Sequence, residues 1–103
     1  MLARYFESRG HLVTTAEDGT AALREAEQSA FDVVICDLRL PGIDGLEVLR
    51  RLRDLPTGER SRCILMSGAN LREPVGELRD HLRLSAIIDK PFEIEQLRSA
   101  VEG

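Results

Sequence analysis

Three polar residues follow three apolar runs, and their types are complementary. Asp37 comes after FDVVIC, Ser67 after CILM and Lys90 after the short run that ends in IID. An aspartate carboxylate is a nucleophile that can accept a phosphoryl group as an acyl phosphate. A lysine ammonium and a serine hydroxyl are the cation and the donor that would hold the oxygens of such a group as charge develops on them. Of the 14 basic residues, 13 are arginine and one is lysine, Lys90. Coding bias toward arginine is the plain explanation. An ammonium, however, is a compact point charge that an arginine fork does not replace, which singles Lys90 out as a site residue. Each residue also has an ordinary alternative: a loop carboxylate for Asp37, a solvated lysine for Lys90, and a turn serine for Ser67, since SGAN is good turn chemistry.

The elements that must place these groups alternate in period. Residues 1–10 read as a helix with Leu2, Tyr5 and Phe6 on one face, ended by Gly10. HLVTT, residues 11–15, is short and β-branched and predicts a strand. Residues 19–30 predict a helix capped by Asp18, with Ala22, Leu23, Ala26 and Ala30 at helical spacing. FDVVIC, residues 31–36, is the best strand, and its unbroken VVIC run predicts burial on both faces. After the turn LPGID, Leu46, Leu49 and Leu52 mark a helix broken by Pro56 and Gly58. Strands follow at 63–66 and 86–88, with helices at 72–83 (Leu78 and Leu82 inward) and 93–102 (Ile94, Leu97 and Val101 inward). The order αβαβαβαβα predicts an α/β fold, a parallel sheet flanked by helices. Ligands then bind at the carboxyl ends of the strands, where Asp37, Ser67 and Lys90 would converge.

Composition narrows the classes. The 103 residues carry a net charge of −4, with 43% hydrophobic and 31% charged residues, which fits one globular domain over 1–103. The acidic balance argues against nucleic-acid binding. No run approaches the ~20 apolar residues of a membrane span. The charges in MLARYFESRG do not suit a signal peptide, so a cytoplasmic location is expected. Cys36 and Cys63 fall in buried strands and read as small core residues. His11 and His81 lack metal-ligand spacing. Arg50, Arg51 and Arg53 read as a solvated helix face. Enzyme readings are weak: an aspartate-nucleophile phosphatase wants a second aspartate where Arg39 stands, and no G-x-G-x-x-G exists for a nucleotide site.

Taken in order, DLRLPGIDG after a buried strand, SG thirty positions after Asp37, KPF near the end and AEDGTAAL before them resemble the receiver domain of two-component response regulators. The resemblance runs over essentially the whole chain. It implies a flavodoxin-like, five-stranded parallel sheet in the order 2-1-3-4-5 and phosphoryl transfer from a sensor histidine kinase, or exchange with another signalling protein. It makes Asp37 the phosphoacceptor, Ser67 the switch hydroxyl and Lys90 the phosphate-contacting lysine. It implies Mg2+ held by Asp37 and the backbone carbonyl of Arg39, a cis Lys90–Pro91 bond, and a signalling face around residues 71–84.

Two departures stand beside it. The family's first strand, with its acidic pair, is missing. Glu17 and Asp18 belong to the start of the second helix, and Asp44 is structural. Position 87 is aliphatic Ile87 where the family often has an aromatic. One carboxylate and one carbonyl should hold Mg2+ weakly, so impaired phosphorylation is expected. The alternative is a degenerate receiver that acts as a phosphorylation-independent interaction module. The missing strand would lie between those led by Leu12 and Phe31 and bury about three side chains at ~1.5–3 kcal/mol each. Truncation or a mis-assigned start at Met1 both account for it. Rearrangement, or a homodimer whose partner covers the gap, is expected to compensate.

Overall fold

The computed structural model describes residues 2–39, 42–68 and 75–103. Eight elements follow one another: α1 (Leu2–Ser8), α2 (Gly19–Gln28), β1 (Val33–Asp37), α3 (Gly45–Asp54), β2 (Arg62–Ser67), α4 (Val75–Leu82), β3 (Leu84–Asp89) and α5 (Ile94–Glu102). Leu40 and Pro41 of the expected turn, Asn70, the start of the helix expected at 72–83, and the inward placement of Leu78 lie outside the described residues.

The three strands pair in parallel in the order β1-β2-β3. Cys36 stands beside Leu65, and Leu65 beside Ile87. Alternation along each strand separates two cores. Cys36, Cys63, Leu65 and Leu84 face α2 and α3, where Leu23, Ala26, Val48, Leu49 and Leu52 pack. Ile64, Met66 and Ile88 face the other way, onto Phe6 of α1 and Leu97 and Val101 of α5. Helices thus lie on both faces of the sheet, but in β1 only Cys36 is fully buried, so the burial expected of VVIC is partial.

Local chemistry sets the helix ends. Gly10, at φ 93°, ends α1, and the amides of Gly10 and His11 return to the carbonyls of Glu7 and Phe6. This is the paired bonding of a glycine-terminated helix. The Asp18 carboxylate accepts from the Ala21 amide at 2.8 Å and caps α2 as expected, and Asp44, expected only to be structural, caps α3 by accepting from the Glu47 amide at 2.9 Å.

Some expectations are corrected, among them the inward placement of Ile94, which is exposed. Residues 11–16 do not form a strand, and Leu12 is fully exposed. Strand character depends on a ladder, and among the described residues β1 is bonded to β2 and to no other strand. Neither has the fold rearranged to fill the gap. A cavity of about 850 Å³ lies between β1 and residues 11–16. A further correction concerns Arg53, which is not part of a solvated face. Its guanidinium donates to the carbonyls of Gly58, Glu59, Ser61, Leu82 and Arg83. Arg51, by contrast, stays exposed and pairs with Glu47 at 2.9 Å.

Candidate functional site

The parallel strands end together, so their last residues share one edge of the sheet. Asp37 ends β1, Ser67 ends β2 and Asp89 ends β3, with Lys90 next. The Lys90 amide donates to the Ser67 carbonyl at 2.7 Å, which carries the register of β2 and β3 one residue further. The Leu38 amide does the same with Met66 at 2.8 Å on the other side. The Lys90–Pro91 bond is cis.

Asp37 and Lys90 meet. The ammonium is ion-paired with Oδ2 of Asp37, while Oδ1 accepts from the Arg39 amide at 3.0 Å. Their side chains keep 37% and 30% of their surface exposed (Lys90 and Asp37 respectively), so the pair is open to a solute. Burial acts to raise the Asp37 pKa, but the Lys90 hydrogen bond, the Arg39 amide and the two positive charges outweigh it. The carboxyl is therefore held below its ordinary range.

Gly45 fits closely behind this residue. A Cβ at position 45 would overlap the Asp37 carbonyl oxygen, and the Gly45 amide donates to Leu38 at 2.9 Å. The glycine lets the start of α3 close on the turn that aims Asp37.

Ser67 is brought to the same edge, but its hydroxyl is fully buried and donates to the Gly68 carbonyl at 2.7 Å. Among the described residues the Ser67 hydroxyl makes no bond to the side chain of Asp37 or Lys90. Ile87 packs sideways against the core shared with α2 and α3. Cys36, next to Asp37, is pushed up to about 12 by burial and then by the Asp37 charge, so it is a core thiol and not a competing nucleophile. Sequence reasoning missed the Arg39 amide, because a backbone donor leaves no trace in residue type.

The donor set for a hard cation is small. Asp37 and the Arg39 carbonyl are the groups that the family resemblance assigns to it, and both Asp37 oxygens already have partners. Among the described residues no group of three or more His, Cys, Asp or Glu side chains is placed to hold a metal. Mg2+ usually keeps several waters and is drawn in by one or two carboxylates together with phosphate oxygens. These residues alone do not make a closed magnesium site. No helix among the described residues is long and apolar enough to cross a membrane.

Comparison with known proteins agrees with this geometry. The sequence profile of the response regulator receiver domain matches residues 1–102. The uncharacterized transcriptional regulatory protein YkoG of Bacillus subtilis is 36% identical over 99 residues, covering 94% of this chain and 41% of its own length. Sporulation initiation phosphotransferase F of the same organism is 29% identical over 102 residues, covering 99% of this chain and 80% of its own. Among solved structures, the receiver domain of the sensor histidine kinase PA1611 from Pseudomonas aeruginosa superposes with a TM-score of 0.81 at 29% identity. The match covers 98% of this chain and 82% of that one, whose crystal has a magnesium ion in its active site cleft. The parallel sheet with helices on both faces is thus the flavodoxin-like receiver fold. In profile, relatives and fold alike, this chain belongs to the response regulator receiver domain family of two-component signalling.

Proposed function

We propose that Asp37 is the phosphoacceptor of this receiver domain and that the 103-residue chain takes up the phosphoryl group slowly. The observation that carries both halves is the ion pair between Asp37 and Lys90 at the carboxyl edge of the sheet. It gathers the nucleophile and the phosphate cation in one place, yet commits them to each other.

In the transfer, an Asp37 oxygen attacks phosphorus while the P–N bond to a kinase phosphohistidine breaks, and the nitrogen leaves with the bonding electrons. Lys90 passes from the carboxylate to a phosphoryl oxygen, and Ser67 can offer its proton only by leaving the Gly68 carbonyl. The Arg39 amide remains on the oxygen that does not react. A magnesium ion, when bound, would neutralise phosphoryl charge beside Asp37 and the Arg39 carbonyl. With one side-chain carboxylate to draw it in, its affinity is low.

The partner on this reading is a sensor histidine kinase or another protein of the relay, met in the cytoplasm. The second reading, an interaction module independent of phosphorylation, is supported by both Asp37 oxygens being engaged.

Incubation with acetyl phosphate and Mg2+ followed by intact-mass measurement separates the two. A single phosphoryl adduct, slow to appear and absent from Asp37→Asn, supports phosphorylation at this residue. No adduct under conditions that label an intact receiver leaves the interaction module. An adduct that persists in Asp37→Asn rejects Asp37 as the acceptor.

A further inference from the structure

Gly19 opens α2, yet its own backbone does not call for glycine. It is outside the left-handed region, where Gly10 and Gly42 lie. Glycine also weakens a helix relative to alanine. What position 19 lacks is room. A Cβ there would stand 2.8 Å from the Ile43 carbonyl oxygen, 2.8 Å from Cγ2 of Val48 and 3.1 Å from Cβ of Ile43. Neither of the two nearest atoms can give way easily. The first is backbone. The second belongs to Val48, which is buried in the core and whose β-branched side chain has one strongly preferred rotamer in a helix.

Ile43 belongs to the turn between β1 and α3. Two residues on, the Gly45 amide closes that turn on the Leu38 carbonyl at 2.9 Å, and a Cβ on Gly45 would overlap the Asp37 carbonyl oxygen. The Arg39 amide, which holds Oδ1 of Asp37, lies within the closed turn. A line of contacts therefore runs from α2 through Ile43 and Gly45 to Asp37, with a glycine at each close approach.

The helix at the outer end of this line is itself fixed. Asp18 caps it through the Ala21 amide, and Leu23 and Ala26 pack in the core with Val48, Leu49 and Leu52. The Thr57 hydroxyl donates to the Ala26 carbonyl. Close-packed interiors transmit strain, so volume added at position 19 is passed to the turn. Ordinary contact begins near 3.4 Å, and an added methyl must move its neighbours by about half an ångström.

We propose that Gly19 is a positioning residue for phosphoryl transfer: the bare edge of α2 seats Ile43, and the seated turn sets the place of the Asp37 carboxylate. This rests on the reading of Asp37 as the phosphoacceptor. Gly19 touches no reacting atom and acts through Ile43, Gly45 and the Arg39 amide. Misplacing a reacting group by 1 Å can cost about 100-fold in rate, so half that shift is expected to cost about tenfold.

The test compares the native chain with Gly19→Ala by amide NMR and by the rate of adduct formation from acetyl phosphate and Mg2+. In Gly19→Ala the Arg39 and Gly45 amide signals shift, and adduct formation slows by about tenfold. Arg53→Ala removes bonds at the amino end of the sheet, far from Asp37, and leaves both signals in place. Where Gly19→Ala does not fold, the double variant Gly19→Ala/Val48→Ala carries the same test. It relieves the overlap with Val48, keeps the one with the Ile43 carbonyl and shows the same shifts. Three results overturn the proposal. Unmoved Arg39 and Gly45 signals in the folded variant would mean that α2 absorbs the methyl. Shifted signals with an unchanged adduct rate would mean that the turn moves without moving Asp37. The same shifts in Arg53→Ala would trace them to lost stability and not to position 19. A native chain that forms no adduct refutes the phosphoacceptor reading alone, and the Arg39 signal then decides whether Gly19 places the carboxylate.

Discussion

Asp37 gains its character from three neighbours, two of which act through the backbone. The Arg39 amide holds one oxygen, and the Gly45 backbone leaves room for the Asp37 carbonyl. Lys90 holds the other oxygen and supplies the charge that keeps the carboxyl acidic. Replacing Lys90 with methionine keeps the stem and removes that charge. Burial then acts with less opposition, so the Asp37 pKa rises in Lys90→Met. A carboxyl-carbon NMR titration of the two proteins reads this directly, and an unmoved midpoint would mean that Lys90 does not set it. The sign for stability follows: a depressed pKa contributes above the ordinary carboxylate range and is lost as pH falls through the folded value. Asp37 and Lys90 were legible in the sequence because each closely follows an apolar run, and parallel strands end together at one edge of their sheet. The direction of the Ser67 hydroxyl was not legible, because a buried hydroxyl takes whichever carbonyl is nearest, here that of Gly68.

At the scale of elements, the strands and helices flanking the site follow the sequence, while residues 11–16 and Arg53 do not. A β-branched run such as HLVTT states a preference, but a ladder needs a partner. Its failure to pair is a property of the open β1 edge and not of its own residues. Arg53 was hidden for a related reason: its place in an arginine-rich helix reads as solvated, yet its guanidinium spans from α3 to two other segments. It joins the carbonyls that close α4, Leu82 and Arg83, to those that lead into β2, Gly58, Glu59 and Ser61. Removing it leaves several half-buried carbonyls without a donor. Arg53→Ala should cost about 2–3 kcal/mol in urea unfolding, within the range for hydrogen bonds to a charged group. Arg53→Lys should recover only part, since one ammonium cannot reproduce the planar fork. A loss below about 0.5 kcal/mol, the scatter of ordinary surface substitutions, would show these bonds to be incidental.

Across the whole molecule, the two chain ends are fastened to each other. Glu102, the last residue of α5, takes a two-pronged bond from Arg9 at 2.7 Å and a contact with His11 at 2.9 Å, and Arg98 lies 3.5 Å away. Arg62, at the start of β2, anchors the same end of α5 through the Val101 carbonyl at 3.0 Å. This clasp joins the loop after α1 to α5, which packs on the same face of the sheet. Its legibility in sequence was nil, because the partners lie more than ninety positions apart and exposed charges carry no periodic signal. The Arg9 and His11 bonds, together with their charges, lower the Glu102 pKa from 4.5 to about 2. A lowered folded pKa means that the contribution is complete above the ordinary glutamate range and is lost as pH falls toward the folded value. Thermal unfolding of the native chain and of Glu102→Gln should therefore differ most at neutral pH. The gap should narrow below pH 4.5 and close near pH 2, where the native carboxyl is itself protonated. High salt at neutral pH should narrow it as well, because the clasp is solvent-facing. A Tm difference that stays constant from neutral pH to pH 2 would assign the effect of Glu102→Gln to packing, and the charge of Glu102 would then not be what holds the ends together.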